Sequence, residues 1–262
     1  MARQRLDALL AERGLFESRT KAAAAVLAGE VRIGPGGDRA AKPGQMVAAD
    51  LELAVDERPA FVSRGGVKLA NALDAFGLDP AGRRCLDVGA STGGFADCLL
   101  QRGAEAVIAL DVAYGELHWN LRQDPRVTVI ERHNAREPAE LPFAPDLVAA
   151  DVSFISLTKV LGPVLGAAAE SFDCLAMVKP QFEVGRERVG RGGVVRDARD
   201  RRSALVAVGE FARGELGLSV CGYASSGLPG PAGNEETFCW IAEAGRVGAV
   251  EDLEAAARRV EP

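Results

Sequence analysis

The chain has 262 residues, 48% hydrophobic and 26% charged, with Lys+Arg 31 against Asp+Glu 37 for a formal net charge of -6. That composition excludes a disordered or collagen-like chain, and the length admits two domains of about 100 to 200 residues. No apolar run reaches the ~18 to 20 residues needed to span a bilayer, because Arg, Asp, Glu or Gly interrupts every candidate. The start Met-Ala-Arg-Gln-Arg-Leu-Asp carries no apolar signal-peptide core, so no membrane association and a cytoplasmic location are expected. Cys85, Cys98, Cys174, Cys221 and Cys239 form no Cys-x-x-Cys pair and read as reduced, buried small hydrophobes. With His118 and His133 the only imidazoles, no metal site is expected.

Charge is unevenly placed. Residues 1–46 hold eight Lys/Arg and five Asp/Glu, a net of +3, which leaves 23 and 32, a net of -9, for the remainder. A small basic module thus precedes an acidic body, which favours nucleic-acid contact through the first part. Leu6, Leu9, Leu10 and Arg13 fall at helical spacing and stop at Gly14. A second helix follows, with Ser18 as N-cap, an apolar face over 22–27 and Gly29 as its stop. Residues 31–33 read as a strand, 34–37 and 42–45 as turns, and 46–55 as a further extended stretch, giving two helices on one small sheet.

After a linker at 58–63, alternating strand and helix patterns run to the end. Short apolar runs at 85–88, 106–111, 127–131, 147–151 and 175–178 read as strands, and 95–102 and 157–169 as helices. Such alternation predicts an α/β fold with a mostly parallel central sheet covered by helices. The closing stretch 251–260 reads as an exposed helix.

In such sheets ligands bind beyond the carboxyl ends of the central strands. The first strand carries Asp87 into a glycine-rich turn, Gly89-Ala90-Ser91-Thr92-Gly93-Gly94-Phe95, whose glycines either let backbone approach a ligand or close a tight strand-to-helix connection. It is neither a Gly-x-Gly-x-x-Gly dinucleotide fingerprint nor a Walker loop. Asp111, followed by Val112, ends the next strand and is suited to hold both hydroxyls of a ribose; Asn134, followed by Ala135, lies beyond the third strand and suits an adenine edge. Together with Asp151 these positions resemble the S-adenosylmethionine pocket of Rossmann-like methyltransferases.

Four more segments supply ionisable groups: Arg64-Gly65-Gly66-Val67-Lys68-Leu69, Ala150-Asp151-Val152-Ser153-Phe154, Val178-Lys179-Pro180-Gln181-Phe182-Glu183 and Gly233-Asn234-Glu235-Glu236. Asp151 and Lys179 each end an apolar strand and should emerge beside the same pocket. These segments resemble the Lys-Asp-Lys-Glu tetrad of the FtsJ-like ribose 2'-O-methyltransferases, and the resemblance maps it onto Lys68, Asp151, Lys179 and Glu236. Spacing from Asn234 favours Glu236, with Glu235 as the adjacent alternative. The first 57 residues resemble the RNA-binding domain named after ribosomal protein S-four, which implies Arg5, Arg13, Arg19, Lys21 and Arg32 as phosphate contacts, with Arg64 at the start of the second domain. As a whole the chain resembles the TlyA family of ribosomal RNA methyltransferases, also labelled haemolysins. That resemblance implies domains 1–57 and 64–262, S-adenosylmethionine as cofactor, and ribosomal RNA or a ribosomal subunit as partner, methylated at a cytidine of the 16S molecule, the 23S molecule or both. Monomer and dimer both stay open.

The chemistry explains the residue types. A sugar hydroxyl is a poor nucleophile until a base takes its proton, whereas a sulfonium already offers an activated methyl group. Lysine serves as base when burial and a neighbouring cation ease loss of its proton. Lys179 is the expected base, Lys68 the neighbouring cation, and Asp151 and Glu236 orient the two ammonium groups. Seven arginines and three acids between Arg186 and Arg202 read either as a flexible RNA clamp or as a solvated loop and helix start. Two further readings stand beside the enzyme: a membrane-lytic protein, as the haemolysin label implies, which lacks a long apolar helix face here, and a non-catalytic RNA-binding protein, which loss of a tetrad member would favour.

Overall fold

The computed structural model describes residues 3–56 and 59–261, which form two compact units, Met1–Pro59 and Ala60–Pro262. Glu57 and Arg58, next to and within the expected linker, and Met1, Ala2 and Pro262 lie outside the described residues. Two residues of that linker are anchored in the second unit: Phe61 and Val62 pack on its core, and the Val62 N–H donates to Asp97 at 2.8 Å.

In the first unit, β1 (Arg3–Arg5) leads into α1 (Leu6–Glu12) and α2 (Arg19–Leu27), followed by β2 (Val31–Ile33), β3 (Asp38–Arg39), β4 (Met46–Ala48) and β5 (Leu53–Val55). Ser18 caps α2 by accepting the Lys21 N–H, and Leu6, Leu9, Leu10, Ala22, Ala25 and Val26 close the core between the helices. The expected single sheet is two: β1 pairs with β4, while β3, β2 and β5 form a separate sheet. A turn at 49–50, closed by the Leu51 N–H on the Ala48 carbonyl, divides the stretch 46–55, so its halves serve different partners.

In the second unit α3 (Arg64–Phe76) precedes β6 (Arg84–Val88), α4 (Gly94–Gln101), β7 (Ala106–Leu110), α5 (Trp119–Gln123), β8 (Val127–Ile130) and β9 (Leu147–Ala150). Then come α6 (Leu161–Leu165), β10 (Asp173–Val178), α7 (Pro180–Glu183), α8 (Ala198–Gly214), β11 (Ser219–Ser225), β12 (Thr237–Ala242) and α9 (Leu253–Val260). They build a seven-stranded sheet of order β11-β12-β10-β9-β6-β7-β8, parallel except for β12, which is antiparallel to both β10 and β11. This is the mostly parallel α/β sheet that the strand and helix alternation predicts, with a core on each face. From β6 the chain steps to β7 on one side and later to β9 on the other, so the crevice of an open α/β sheet falls at the carboxyl ends of β6, β7 and β9.

Three expectations fail locally. The helix expected over 157–169 is a single 3-10 turn, Leu157–Lys159, and the five-residue α6, because Gly162, Pro163 and Gly166 deprive a longer helix of propensity and of one N–H donor. The terminal helix is not exposed: Leu253, Ala256 and Ala257, at helical spacing, bury one face against the core. Cys221 is half-buried, unlike the other four cysteines. Neither β11 nor β12 is among the expected strands; in β11, Gly222 sits at a register shift that interrupts the alternation.

Candidate active site

The turn after β6 is shaped by contacts inside the protein. Gly89 and Gly93 have φ of +83° and +95°, which L side chains rarely adopt. A Cβ on Gly89 would overlap the Asp151 carbonyl, and one on Gly93 would overlap Leu117 and Leu121. Of the two readings of these glycines, close packing of the connection is therefore the one their surroundings require. Ser91 has φ of +47°, and its N–H donates to Asp111 Oδ2 at 2.7 Å. Asp111 Oδ1 accepts the Ala113 N–H at 2.7 Å, so one carboxylate binds both loops together.

Two adjoining cavities open at these strand ends. The larger, about 590 Å³, is lined by Asp111, Val112, Asn134, Ala135, Val152 and Phe154, among others. The second, about 440 Å³, is lined by Lys68, Asp87, Thr92, Phe95, Lys179 and Glu236, among others. Gly89, Ser91 and Asp151 line both and form the shared wall. Ala90 and Gly94 also line the second cavity, whereas Gly93 lines neither and acts only on the turn. Asp87 is fully buried; its Oδ2 accepts the Ala96 N–H at 2.9 Å and its Oδ1 has no partner among the described residues. Burial, together with Asp151 and Asp111 nearby, pushes its carboxyl up to about 8 against the pull of the Ala96 N–H.

The four tetrad positions meet at the second cavity as two amine–carboxylate pairs. Lys68, on the buried face of α3, donates to Glu236 Oε2, and both side chains are buried. Glu235 points outward and is exposed. Lys179, at the end of β10, donates to Ser153 Oγ at 2.8 Å and lies 2.5 Å from Asp151 Oδ1, an ion pair whose angle falls short of a hydrogen bond. Parallel pairing of β9 with β10 places these two strand ends side by side. Ser153, two residues past Asp151 and three past the end of β9, is not singled out by the sequence; it shares the Lys179 ammonium with Asp151.

The candidate RNA contacts have intramolecular partners. Arg5 and Arg19 pair with Asp7, Lys21 with Glu17 and Arg32 with Asp56, while Arg13 donates to the Ala49 and Leu51 carbonyls. Arg5, Arg19 and Lys21 keep at least half of their side-chain surface exposed. Arg64 is exposed and donates to the Pro229 carbonyl at 2.8 Å, bracing the loop that precedes β12.

A crevice that sets a shared-wall pair of cavities at the switch point of a parallel sheet, with acids ending successive strands, is the arrangement of a Rossmann-like methyltransferase. The profile of the FtsJ-like methyltransferase family matches residues 61–242. The chain is 51% identical over 243 residues, 91% of this chain and 90% of the relative, to the 16S/23S rRNA (cytidine-2'-O)-methyltransferase TlyA of Mycobacterium tuberculosis. It is 39% identical over 197 residues, 74% of this chain and 81% of the relative, to Hemolysin A of Brachyspira hyodysenteriae. A solved hemolysin-named structure from Streptococcus thermophilus superposes with a TM-score of 0.72 at 37% identity, covering 99% of this chain and 96% of that one. The chain belongs to the TlyA group of the FtsJ-like methyltransferase family.

Because Lys68 and Glu236 are both buried, removing one strands the other's charge. Glu236→Ala is expected to lower unfolding free energy by about 3 to 5 kcal/mol, and the double replacement Lys68→Met/Glu236→Leu by less than the single, as measured by urea denaturation. A double variant less stable than Glu236→Ala would contradict the buried pair.

Proposed function

We propose that this chain is a cytoplasmic enzyme that transfers the methyl group of S-adenosylmethionine to a ribose 2'-hydroxyl, that of a cytidine, in 16S or 23S ribosomal RNA. The observation that carries this reading is the convergence of Lys68–Glu236 and Lys179–Asp151 on one cavity that shares a wall with a second. Among the described residues no helix is long and apolar enough to cross a membrane, so nothing in these helices favours the membrane-lytic alternative. All four tetrad residues are present, which disfavours a non-catalytic scaffold.

The residues fit the donor. Asp111, at the end of β7, serves its ribose; Val112, Asn134 and Ala135 line the same cavity on the adenine side. The unpartnered Asp87 Oδ1 is the acceptor that an α-ammonium group needs, beside the Thr92, Gly94 and Phe95 end of the turn. When bound, S-adenosylmethionine supplies an activated methyl group on a sulfonium. The chain's own work is to seat the ribose, exclude water and take one proton. Lys179, as the neutral amine left once its own proton has passed to solvent, takes it from the 2'-oxygen; Ser153 and Asp151 hold its Nζ in place, and Lys68, fixed by Glu236, grips the sugar or its phosphate. The exposed arginines and lysine of the first unit hold RNA phosphates, which positions the substrate without reading its sequence.

Tritiated methyl transfer from S-adenosylmethionine to 16S RNA, 23S RNA and whole subunits, followed by mapping, tests the reading. Label on a cytidine 2'-oxygen is expected; label confined to a base, or none, would overturn it. A second outcome follows from Asp87. Its carboxyl is raised to about 8, so below that pH the buried acid is mostly protonated and must shed its proton to receive the donor's ammonium. Donor affinity should therefore rise from about pH 6 to a maximum near 8 and fall above it, where an α-amino group itself loses charge. Asp87→Asn should bind more weakly at pH 8 and lose the rise, as read by isothermal titration calorimetry.

A further inference from the structure

Asn234 stands in the Gly-Asn-x-Glu segment but has no part in the chemistry above. It is 1% exposed, and both ends of its amide are used. Oδ1 accepts the Val195 N–H at 2.9 Å, and Nδ2 donates to the Gly193 carbonyl at 2.8 Å. Those two groups belong to the segment 189–197, which leaves the 3-10 turn Arg186–Arg188 and enters α8. An amide side chain sets an N–H donor beside a carbonyl acceptor, as a peptide group does, so Asn234 replaces a neighbouring strand for a segment that has none. Aspartate would set a second acceptor against the Gly193 carbonyl, and alanine would leave both backbone groups unpaired.

What this segment carries gives the bond its significance. Arg191 and Arg196 within it, and Arg186 and Arg199 just before and after it, are exposed and have no ion-pair partner among the described residues, in contrast to Arg188, Arg201 and the paired arginines of the first unit. The segment is folded by its own bonds, Gly190 N–H to the Val194 carbonyl and Gly193 N–H to the Gly190 carbonyl, both at 3.0 Å, with Arg191 at the tip. At its other side, Asn234 is two residues from Glu236. Burial alternates along 234, 235 and 236 as buried, exposed and buried, so Asn234 and Glu236 face inward together. The loop that bears them is fixed to α3 by Arg64 on Pro229 O and Asn71 on Ser226 O, and a Cβ on Gly230 would overlap Glu236 Oε1.

Resting on the RNA reading above, we propose that Asn234 is a positioning residue that holds the arginine-bearing strap 189–197 in register with the Lys68–Glu236 pair. An RNA backbone gripped by the strap is thereby delivered to the catalytic cavity at a fixed distance. The strap supplies phosphate affinity, and the amide converts that affinity into alignment.

A double-mutant cycle in the full-length protein tests this, with methyl transfer to ribosomal RNA as readout and donor binding and thermal midpoint as controls. Asn234→Ala is expected to lower kcat/KM for RNA about tenfold while donor Kd moves less than about twofold, and Arg191→Ala/Arg196→Ala to lower it by a similar factor. Combined, the arginine changes should cost less than about twofold further, because a released strap no longer registers the RNA. Asn234→Asp, which keeps the shape and the Val195 acceptor, should lose RNA kcat/KM with donor binding intact, and decides the matter if the alanine variant fails to fold. Full multiplication of the two effects, or an unimpaired Asn234→Asp, would overturn the inference. A wild-type protein that binds the donor yet methylates no ribosomal RNA would instead overturn the functional reading, and this inference with it.

Discussion

The structure around the crevice depends on keeping two ammonium groups and two carboxylates at the mouth of a parallel sheet without leaving any of them unpaired. Lys68 and Glu236 are almost completely withdrawn from water, and Lys179 nearly so. Stranding any one of these charges would cost several kcal/mol, so each partner must arrive at a fixed place. The fold meets this by using strand ends and short braced loops. Asp151 and Lys179 leave neighbouring parallel strands, Glu236 immediately precedes β12, and Lys68 comes from the buried face of α3. Gly89 lets the turn after β6 press against the Asp151 carbonyl, so at that point of the shared wall backbone meets backbone and cannot yield as a side chain does.

That wall gives the site its division of labour. On one side lie Asp111 and Asn134, on the other the two lysine–carboxylate pairs, and Asp151 belongs to both. Asp87 is the odd member. It is the buried acid with an empty acceptor, and in the proposed reading its carboxyl, raised to about 8, stays mostly neutral until the donor's ammonium arrives. A group of this kind is costly to keep in an empty site and becomes favourable in a filled one, which is how a pocket tells a cationic ligand from a neutral one.

Much of this was legible in the sequence because apolar runs end where chemistry begins. Asp87, Asp111, Asp151 and Lys179 each lie in or just past a strand of four to six residues, and a strand's carboxyl end is the one place in such a sheet where a charge has access to a ligand. The order of those runs also carried the parallel sheet. Other features had weaker signals. Pro163 inside an otherwise apolar, alanine-rich stretch outweighs its periodicity, so α6 is short. Leu253, Ala256 and Ala257 bury a helix face that charge content alone made look exposed. Nothing local marks Asn234 as the partner of residues 193 and 195, since a side-chain amide that stands in for a strand is defined by atoms some 40 positions away. For the same reason the sequence does not show that Asp7 and Asp56 hold three arginines of the first unit.

Proton abstraction by Lys179 is the step on which the proposed chemistry rests, and Lys179→Arg isolates it. Arginine keeps the positive charge and can still meet Asp151, but its guanidinium does not give up a proton in a protein. Under single-turnover conditions with saturating donor and ribosomal RNA, abstraction by Lys179 predicts a transfer rate about 100- to 10,000-fold below wild type with both ligands still bound. A rate within about tenfold of wild type would show that some other group takes the proton.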